Sequence, residues 1–215
     1  MKFHGYFRSS SAHRCRIAFN LKGLTPEFQS VHLRRNGGEQ NTPEYRALNP
    51  QGLLPALETD GLVLTQSLAI IEWLDETYPE SSLIPDDKDI RAKVRAFSQI
   101  IACDIHPLQN LRVLQYIKGD YGQDQAAADA WCQRWIGDGL AACEAMLQSF
   151  GNHGNFCFGE TPGLADICLV PQVYSAHRFG VDMSAMPRLS KVFDACEAMP
   201  AFDDARPSVQ PDAED

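Results

Sequence analysis

Three short runs near the start of the chain restrict its fold more than any other feature. Phe3–Phe7 reads as a strand. Ile17, Ala18 and Leu21 then recur at helical spacing, and Lys22-Gly23 closes that run with a cation and a glycine stop. Phe28–Leu33 reads as a second strand. Strand, helix and strand within roughly thirty residues form a βαβ unit, whose strands must run parallel with a right-handed crossover. Further on, Ala56–Glu58 and Leu62–Leu64 flank Thr59-Asp60-Gly61, and Asp-Gly is a strong hairpin signal. Ile70, Ile71, Leu74 and Tyr78 then make one apolar helical stripe, with Glu72, Asp75 and Glu76 on its wet side. The order β-α-β, loop, β-β-α predicts an α+β domain over residues 1–78, built on a four-stranded mixed sheet.

Residues 79–88, rich in Pro, Ser and Asp, read as a linker. Residues 89–215 are expected to form an all-α domain. Ile90, Val94, Phe97, Ile101, Ile105, Leu108, Leu111 and Leu114 step by three and four, which predicts one long helix kinked at Pro107. Further helices are expected over about Gln123–Ser149, from Leu164, and over about Leu189–Ala198. The polar, acidic tail Pro207–Asp215 is expected to fray.

Composition excludes several classes of function. The net charge of -9 and the lack of a Lys/Arg cluster argue against nucleic acid as a partner. No apolar run is long enough to span a bilayer, so no membrane partner is expected, and nothing at Met1–Tyr6 resembles an export signal. The seven cysteines are an odd set without a CxxC, as befits a reducing, cytoplasmic setting; no metal site is expected. A small anionic substrate requires a few cations focused locally.

The β-α-β–β-β-α order is the thioredoxin arrangement, which places its reactive group at the turn between the first strand and first helix. Dithiol members carry CxxC there; this chain has Ser11-Ala12-His13-Arg14, and Cys15 falls inside the helix among apolar neighbours, as a small core residue does. Ser9, Ser10 and Ser11 occupy the turn. Serine hydroxyls at a helix N-terminus lower the pKa of a bound thiol, and a serine there also serves simply as a cap. Leu54-Pro55 leads into a strand. It is either an ordinary edge proline or the cis proline of this fold, which leaves the Leu54 backbone to pair with a peptide ligand. Gln66-Ser67 opens the helix after the hairpin, either as a cap or as a carboxylate site. A thiol activator, a backbone-pairing edge and a carboxylate site together fit γ-glutamyl-cysteinyl-glycine, glutathione.

The chain resembles the zeta class of glutathione transferases over nearly its whole length. Tyr6-Phe7-Arg8-Ser9-Ser10 with Arg14-Cys15-Arg16-Ile17-Ala18 resembles the class signature SSCxxRxRIA. Ala47-Leu48-Asn49-Pro50-Gln51 and Leu54-Pro55-Ala56-Leu57 fit the loop around the cis proline, and Gln66-Ser67-Leu68-Ala69-Ile70-Ile71 fits the glutathione-carboxylate motif. Pro107-Leu108-Gln109-Asn110 extends the match, while Cys103–Pro107, Val170–Val173 and Ser175–Phe179 look most like the maleylpyruvate isomerase branch. Two positions depart: Ser11 replaces the signature cysteine, and Gly163 stands where the family has a Ser/Thr cap for the helix carrying Asp166.

The resemblance implies a glutathione-dependent cis–trans isomerase of maleylpyruvate or maleylacetoacetate in aromatic catabolism. Glutathione would be a regenerated cofactor adding reversibly to the cis double bond of a diketo acid. The implied catalytic set is Ser9, Ser10, Ser11, Arg8 and Arg178, the two arginines acting as carboxylate clamps across the domain cleft. The implied cofactor set is Gln51, Leu54, Pro55, Gln66, Ser67, His106 and Asn110, with His106 and Asn110 at i and i+4 on one helix face. Arg112 is a weaker candidate. On pattern alone Arg178 also reads as a surface residue, and His106 as part of a helix kink. A two-fold homodimer, with the Ile90–Leu114 helix at its interface, is the family expectation. Competing readings are a conjugating transferase or dehalogenase, and a non-catalytic adaptor of the same fold.

Overall fold

A computed structural model describes residues 1–151 and 154–214. The chain divides into two compact units, Met1–Leu83 with Ala198–Asp215, and Ile84–Glu197. The sequence reading placed 198–215 with the helical domain; these residues group instead with the first unit.

In the first unit, strand β1 (Lys2–Gly5) is followed by helix α1 (Ser10–Leu21) and strand β2 (Glu27–Ser30). The short helix α2 (Pro43–Leu48), strands β3 (Ala56–Thr59) and β4 (Leu62–Thr65), and helix α3 (Ser67–Thr77) complete the frame. The sheet order is β2-β1-β3-β4. β1 pairs parallel with β2 and antiparallel with β3, which pairs antiparallel with β4. This is the expected mixed four-stranded sheet. The hairpin turns at Asp60 and Gly61, both at positive φ, as Asp-Gly demands. Ile17 and Ala18 of α1, Phe3 and Leu57 of the sheet, and Ile70, Ile71 and Leu74 of α3 form the core, each almost fully buried.

Lys22, just past α1, buries its side chain completely. Its Nζ donates to Asp75 Oδ1 at 2.6 Å and to the Tyr78 carbonyl at 2.7 Å, joining the C-terminal ends of α1 and α3. Helix α2 was not foreseen. Thr42 caps it and Pro43 starts it, but six residues carry too little periodicity to stand out.

Among the described residues the named elements of the second unit are helical: α4 (Lys88–Gln99), a π-turn (Ile100–Ile105), α5 (His106–Leu108), α6 (Leu111–Gly119), α7 (Gln125–Phe150), α8 (Leu164–Arg178) and α9 (Pro187–Glu197). The single helix expected over Ile90–Leu114 is therefore segmented. Pro107 lacks an N–H and crowds the preceding turn. The chain widens just before it, with the His106 N–H reaching back to the Ile101 carbonyl, and the helix ends at Gln109. Ile105 then lies over Gly139 of α7, where a Cβ would stand 2.3 Å from Ile105 Cγ1.

Helix α8 starts at Leu164 despite its glycine cap. The buried Asp166 carboxylate accepts from Gly163 N–H at 2.9 Å and from Cys157 N–H at 2.8 Å, supplying the cap from inside the helix. Burial raises the Asp166 pKa, opposed by these backbone donors. On α7, the buried Glu144 accepts from the N–H groups of Arg188 and Leu189 at 3.0 and 2.9 Å and so caps α9.

After α9 the chain returns to the first unit through α10 (Pro200–Asp203). The tail expected to fray is hydrogen-bonded as far as Glu214; Asp215 lies outside the described residues.

Candidate active site

The turn after β1 is built from backbone bonds first. Ser9 N–H donates to the Tyr6 carbonyl at 3.0 Å. Ser9 is the N-cap of α1, and its Oγ accepts from Ala12 N–H at 3.2 Å. Accepting that bond uses one lone pair and leaves the Ser9 hydroxyl proton as a donor. Ser10 is half-buried in the first turn, and Ser11 is 8% exposed on the buried part of α1. Of the three serines among which the sequence left the capping role open, Ser9 fills it. Arg8 is exposed, its guanidinium 5.0 Å from the Phe7 ring centroid.

Two buried arginines of α1 hold this frame, and the sequence reading gave neither a role. Arg14 is 1% exposed and donates from Nη1 to Ser67 Oγ at 3.2 Å. It therefore links α1 to the first residue of α3. Arg16 donates to the carbonyls of Tyr6, Phe7 and Ala205 at 3.4, 3.1 and 3.0 Å. Burial lowers its pKa to about 10, so it stays charged at neutral pH. The signal was present in the sequence: Arg14 lies on the stripe of Ile17, Ala18 and Leu21, and a cation on a buried stripe needs a polar partner. His13 is buried as well, and desolvation with the Arg16 and Arg14 charges holds its pKa well below the usual value. Burial between charged neighbours thus favours its neutral form.

Around the hairpin, Leu54-Pro55 is cis. The Leu53 carbonyl accepts from Tyr45 Oη at 2.8 Å and Asn49 Nδ2 at 2.7 Å, while Asn49 Oδ1 accepts from Gln51 N–H at 3.1 Å. The unforeseen α2 thus fixes the segment Gln51–Pro55. Gln66 caps α3 with φ 68° and ψ 117°, a conformation uncommon for a residue with a side chain. Its Nε2 donates to Gln51 Oε1 at 2.7 Å. The buried Arg14 cation thus stands at the N-terminus of α3, bonded to the Ser67 hydroxyl, and a helix N-terminus favours negative charge.

In the second unit, His106 starts α5 and Asn110 is the N-cap of α6, its Oδ1 accepting from Arg112 N–H at 3.2 Å. The two do not lie on one helix face as expected, because the helix breaks between them. Gln109, buried beside Asn110, donates to Gln172 Oε1 of α8 at 2.8 Å. Arg178 is the exposed last residue of α8, over the Phe179 ring at 5.1 Å. Cys15 is fully buried, as the core assignment required. Burial raises the thiol pKa of Cys132 to about 11 and of Cys143 to about 12, so neither is a nucleophile. No group of His, Cys, Asp and Glu suited to a metal occurs among the described residues.

Residues 8–77 match the family model of the glutathione S-transferase N-terminal domain. Over 214 residues the chain is 49% identical to a maleylpyruvate isomerase of a Ralstonia species, spanning 99% of this chain and 100% of that one. The holo structure of maleylpyruvate isomerase, a bacterial zeta-class glutathione transferase, is similar with a TM-score of 0.96 at 48% identity, both chains fully covered. A maleylacetoacetate isomerase of Methylobacterium extorquens with bound malonate and glutathione is similar with a TM-score of 0.92 at 36% identity, again over all of both chains. The chain belongs to the zeta class of glutathione transferases, in its family of maleylpyruvate and maleylacetoacetate isomerases.

Proposed function

We propose that this protein is a glutathione-dependent isomerase that converts maleylpyruvate or maleylacetoacetate to the fumaryl isomer. The observation that carries the reading is the Arg14–Ser67 bond, which ties an electropositive α3 N-terminus to the helix that Ser9 caps. One tripeptide with a thiol and a terminal α-carboxylate suits both ends of that link, and the residues present fit glutathione. Bound glutathione and malonate in the M. extorquens relative support the same pairing of cofactor and dicarboxylate.

When bound, glutathione supplies the thiolate that adds to the cis double bond and leaves once the bond has rotated. Ser9 donates its hydroxyl proton toward the sulfur and, with the α1 N-terminus, favours the ionised thiol. Ser10 and Ser11 line the same turn. Ser67 and Gln66 receive the γ-glutamyl carboxylate, and the Leu54 backbone before Pro55 pairs with the cysteinyl backbone. Gln51, His106 and Asn110 complete the cofactor set. Arg8 and Arg178 each take a carboxylate of the anionic diketo acid, as locally focused cations on an acidic protein. Arg178 crowns a helix C-terminus, where a cation is favoured anyway.

We place the enzyme in the cytoplasm as a homodimer. Seven cysteines without a disulfide support the first, and the exposed Leu62 and Val63 on edge strand β4 support a covering partner. No helix among the described residues is long and apolar enough to cross a membrane.

The test follows the enol-dicarbonyl absorbance of the substrate on adding enzyme, with and without glutathione. Loss of absorbance only in the presence of glutathione supports the reading; an equal rate without it overturns the reading. Maleylpyruvate and maleylacetoacetate assayed side by side rank the two substrates.

A further inference from the structure

The last residues of the chain are polar and acidic, yet they are bound to the turn that carries Arg8 and Ser9. Asp212 Oδ2 accepts from Phe7 N–H at 3.1 Å and from Ser30 Oγ at 2.9 Å. On the other side of the same residue, Arg16 donates to the Phe7 carbonyl at 3.1 Å and to Ala205 O of the returning chain at 3.0 Å. Both backbone groups of Phe7 are therefore held, the N–H by the tail carboxylate and the carbonyl by an arginine that also bonds the returning chain. The next two residues are Arg8 and Ser9.

A second anchor lies two residues beyond Asp212. Glu214 accepts from His32 Nε2 at 3.1 Å and pairs with Arg35. The ring is oriented from its far side: His32 Nδ1 accepts the N–H groups of Arg34 and Arg35 at 3.1 and 2.7 Å, so the proton sits on Nε2 and faces Glu214. Tyr6 Oη stands 3.3 Å from the same Nε2. The groups facing the tail are thus Tyr6, Arg16, Ser30, His32 and Arg35. They belong to the turn after β1, to α1, to β2 and to the turn that follows β2.

We propose that Asp212 is a positioning residue for the isomerase: the tail carboxylate fixes the Phe7 peptide and thereby the placement of the Ser9 hydroxyl and the Arg8 guanidinium. The inference rests on the reading of Ser9 as the thiol-activating hydroxyl. A hydroxyl that must meet a sulfur at hydrogen-bond distance loses much of its effect when displaced by a fraction of an ångström. Held only through Ser9 N–H and Arg16, the turn has fewer constraints on that placement. A tail that merely adds stability would leave the site's chemistry untouched.

The experiment uses the full chain with Asp212→Ala, Asp212→Asn, Ser30→Ala and Ser9→Ala, each checked by thermal melting. The readouts are the ionisation of enzyme-bound glutathione, titrated through its ultraviolet thiolate band, and the pH profile of kcat/KM. In Asp212→Ala the bound thiol is expected to ionise about one pH unit higher, with turnover at neutral pH down about tenfold. Asp212→Asn keeps an acceptor oxygen for Phe7 N–H and is expected to recover most of the loss. Ser30→Ala frees the carboxylate without touching the turn and is expected to shift the thiol the same way by a smaller amount, which serves if Asp212→Ala does not fold. A thiol that ionises normally in Asp212→Ala and Ser30→Ala but not in Ser9→Ala overturns the positioning role and leaves the site reading standing. A normal thiol in all of them, Ser9→Ala included, overturns the site reading and this proposal with it.

Discussion

At the scale of single residues, the informative ones are the polar side chains that the fold buries beneath the site. Arg14 fills a place on α1 that its apolar neighbours would suit, and its charge is spent on Ser67 Oγ. Removing that charge with a side chain of similar length, Arg14→Met, is expected to leave the packing nearly intact but to weaken the proposed carboxylate site at the α3 N-terminus. The expected result is a KM for glutathione raised about tenfold, consistent with losing one charge-assisted contribution, while kcat at saturating glutathione changes little. Steady-state kinetics checks this; an unchanged KM removes Arg14 from the cofactor site. Ser9 and Ser11 separate in the same way. Ser9→Ala deletes a helix cap worth about 1 kcal/mol together with the proposed thiol donor, so it is expected to lower both the melting temperature and kcat. Ser11 sits on the buried part of α1. Ser11→Ala is expected to keep kcat within about threefold, a small effect beside that of losing a thiol donor; a large kcat loss there instead would reassign the activating hydroxyl.

At the scale of elements, what was legible in the sequence is what local periodicity and turn chemistry encode. The βαβ unit, the Asp60-Gly61 hairpin and α8 from Leu164 follow their patterns, though β1 and β2 end at Gly5 and Ser30, short of the Phe7 and Leu33 that the patterns reach. The kink of the Ile90–Leu114 helix was legible at Pro107, but the π-turn and the break at Gln109 and Asn110 were not, because apolar steps of three and four survive both. One contact at the π-turn is non-local: Ile105 packs over the bare Cα of Gly139. Gly139→Ala forces a Cβ into Ile105, and overpacking of this kind costs about 1–3 kcal/mol. Since Ile105 immediately precedes His106, the variant is also expected to weaken glutathione binding. Denaturant unfolding and calorimetric titration on the same samples check both effects, and a neutral Gly139→Ala would show that the helices shift apart without loss. The tail was illegible for a related reason. Asp212 and Phe7 are 205 residues apart in sequence, and composition sees only a solvated acidic end.

At the scale of the whole molecule, the buried ionisable groups set how stability responds to pH. His13 is buried, and desolvation, then Arg16 and Arg14, press its pKa well below the ordinary value of 6.5. In the unfolded chain the imidazole takes up a proton below pH 6.5; in the fold it does not. The unfolded state therefore binds the extra proton, and stability falls as pH drops through that window, approaching about 1.4 kcal/mol per pH unit. Above pH 6.5 both states are neutral at this position and the contribution is flat. Asp166 acts with the opposite sign. Its folded pKa is raised by burial above 3.8, so its ionisation costs stability as pH rises through the folded value, and the loss reverses on acidification. The two slopes oppose one another wherever their windows overlap, and the melting curve of the native chain alone does not separate them. The difference between the native chain and His13→Gln does, because Asp166 is common to both. That difference is expected to be independent of pH above 6.5 and to move in favour of the variant below it, with a limiting slope near one proton. Urea unfolding at pH 8, 7, 6 and 5 measures it. A difference that stays constant across that range would mean that His13 protonates in the fold as readily as in the unfolded chain, against its burial between two arginines.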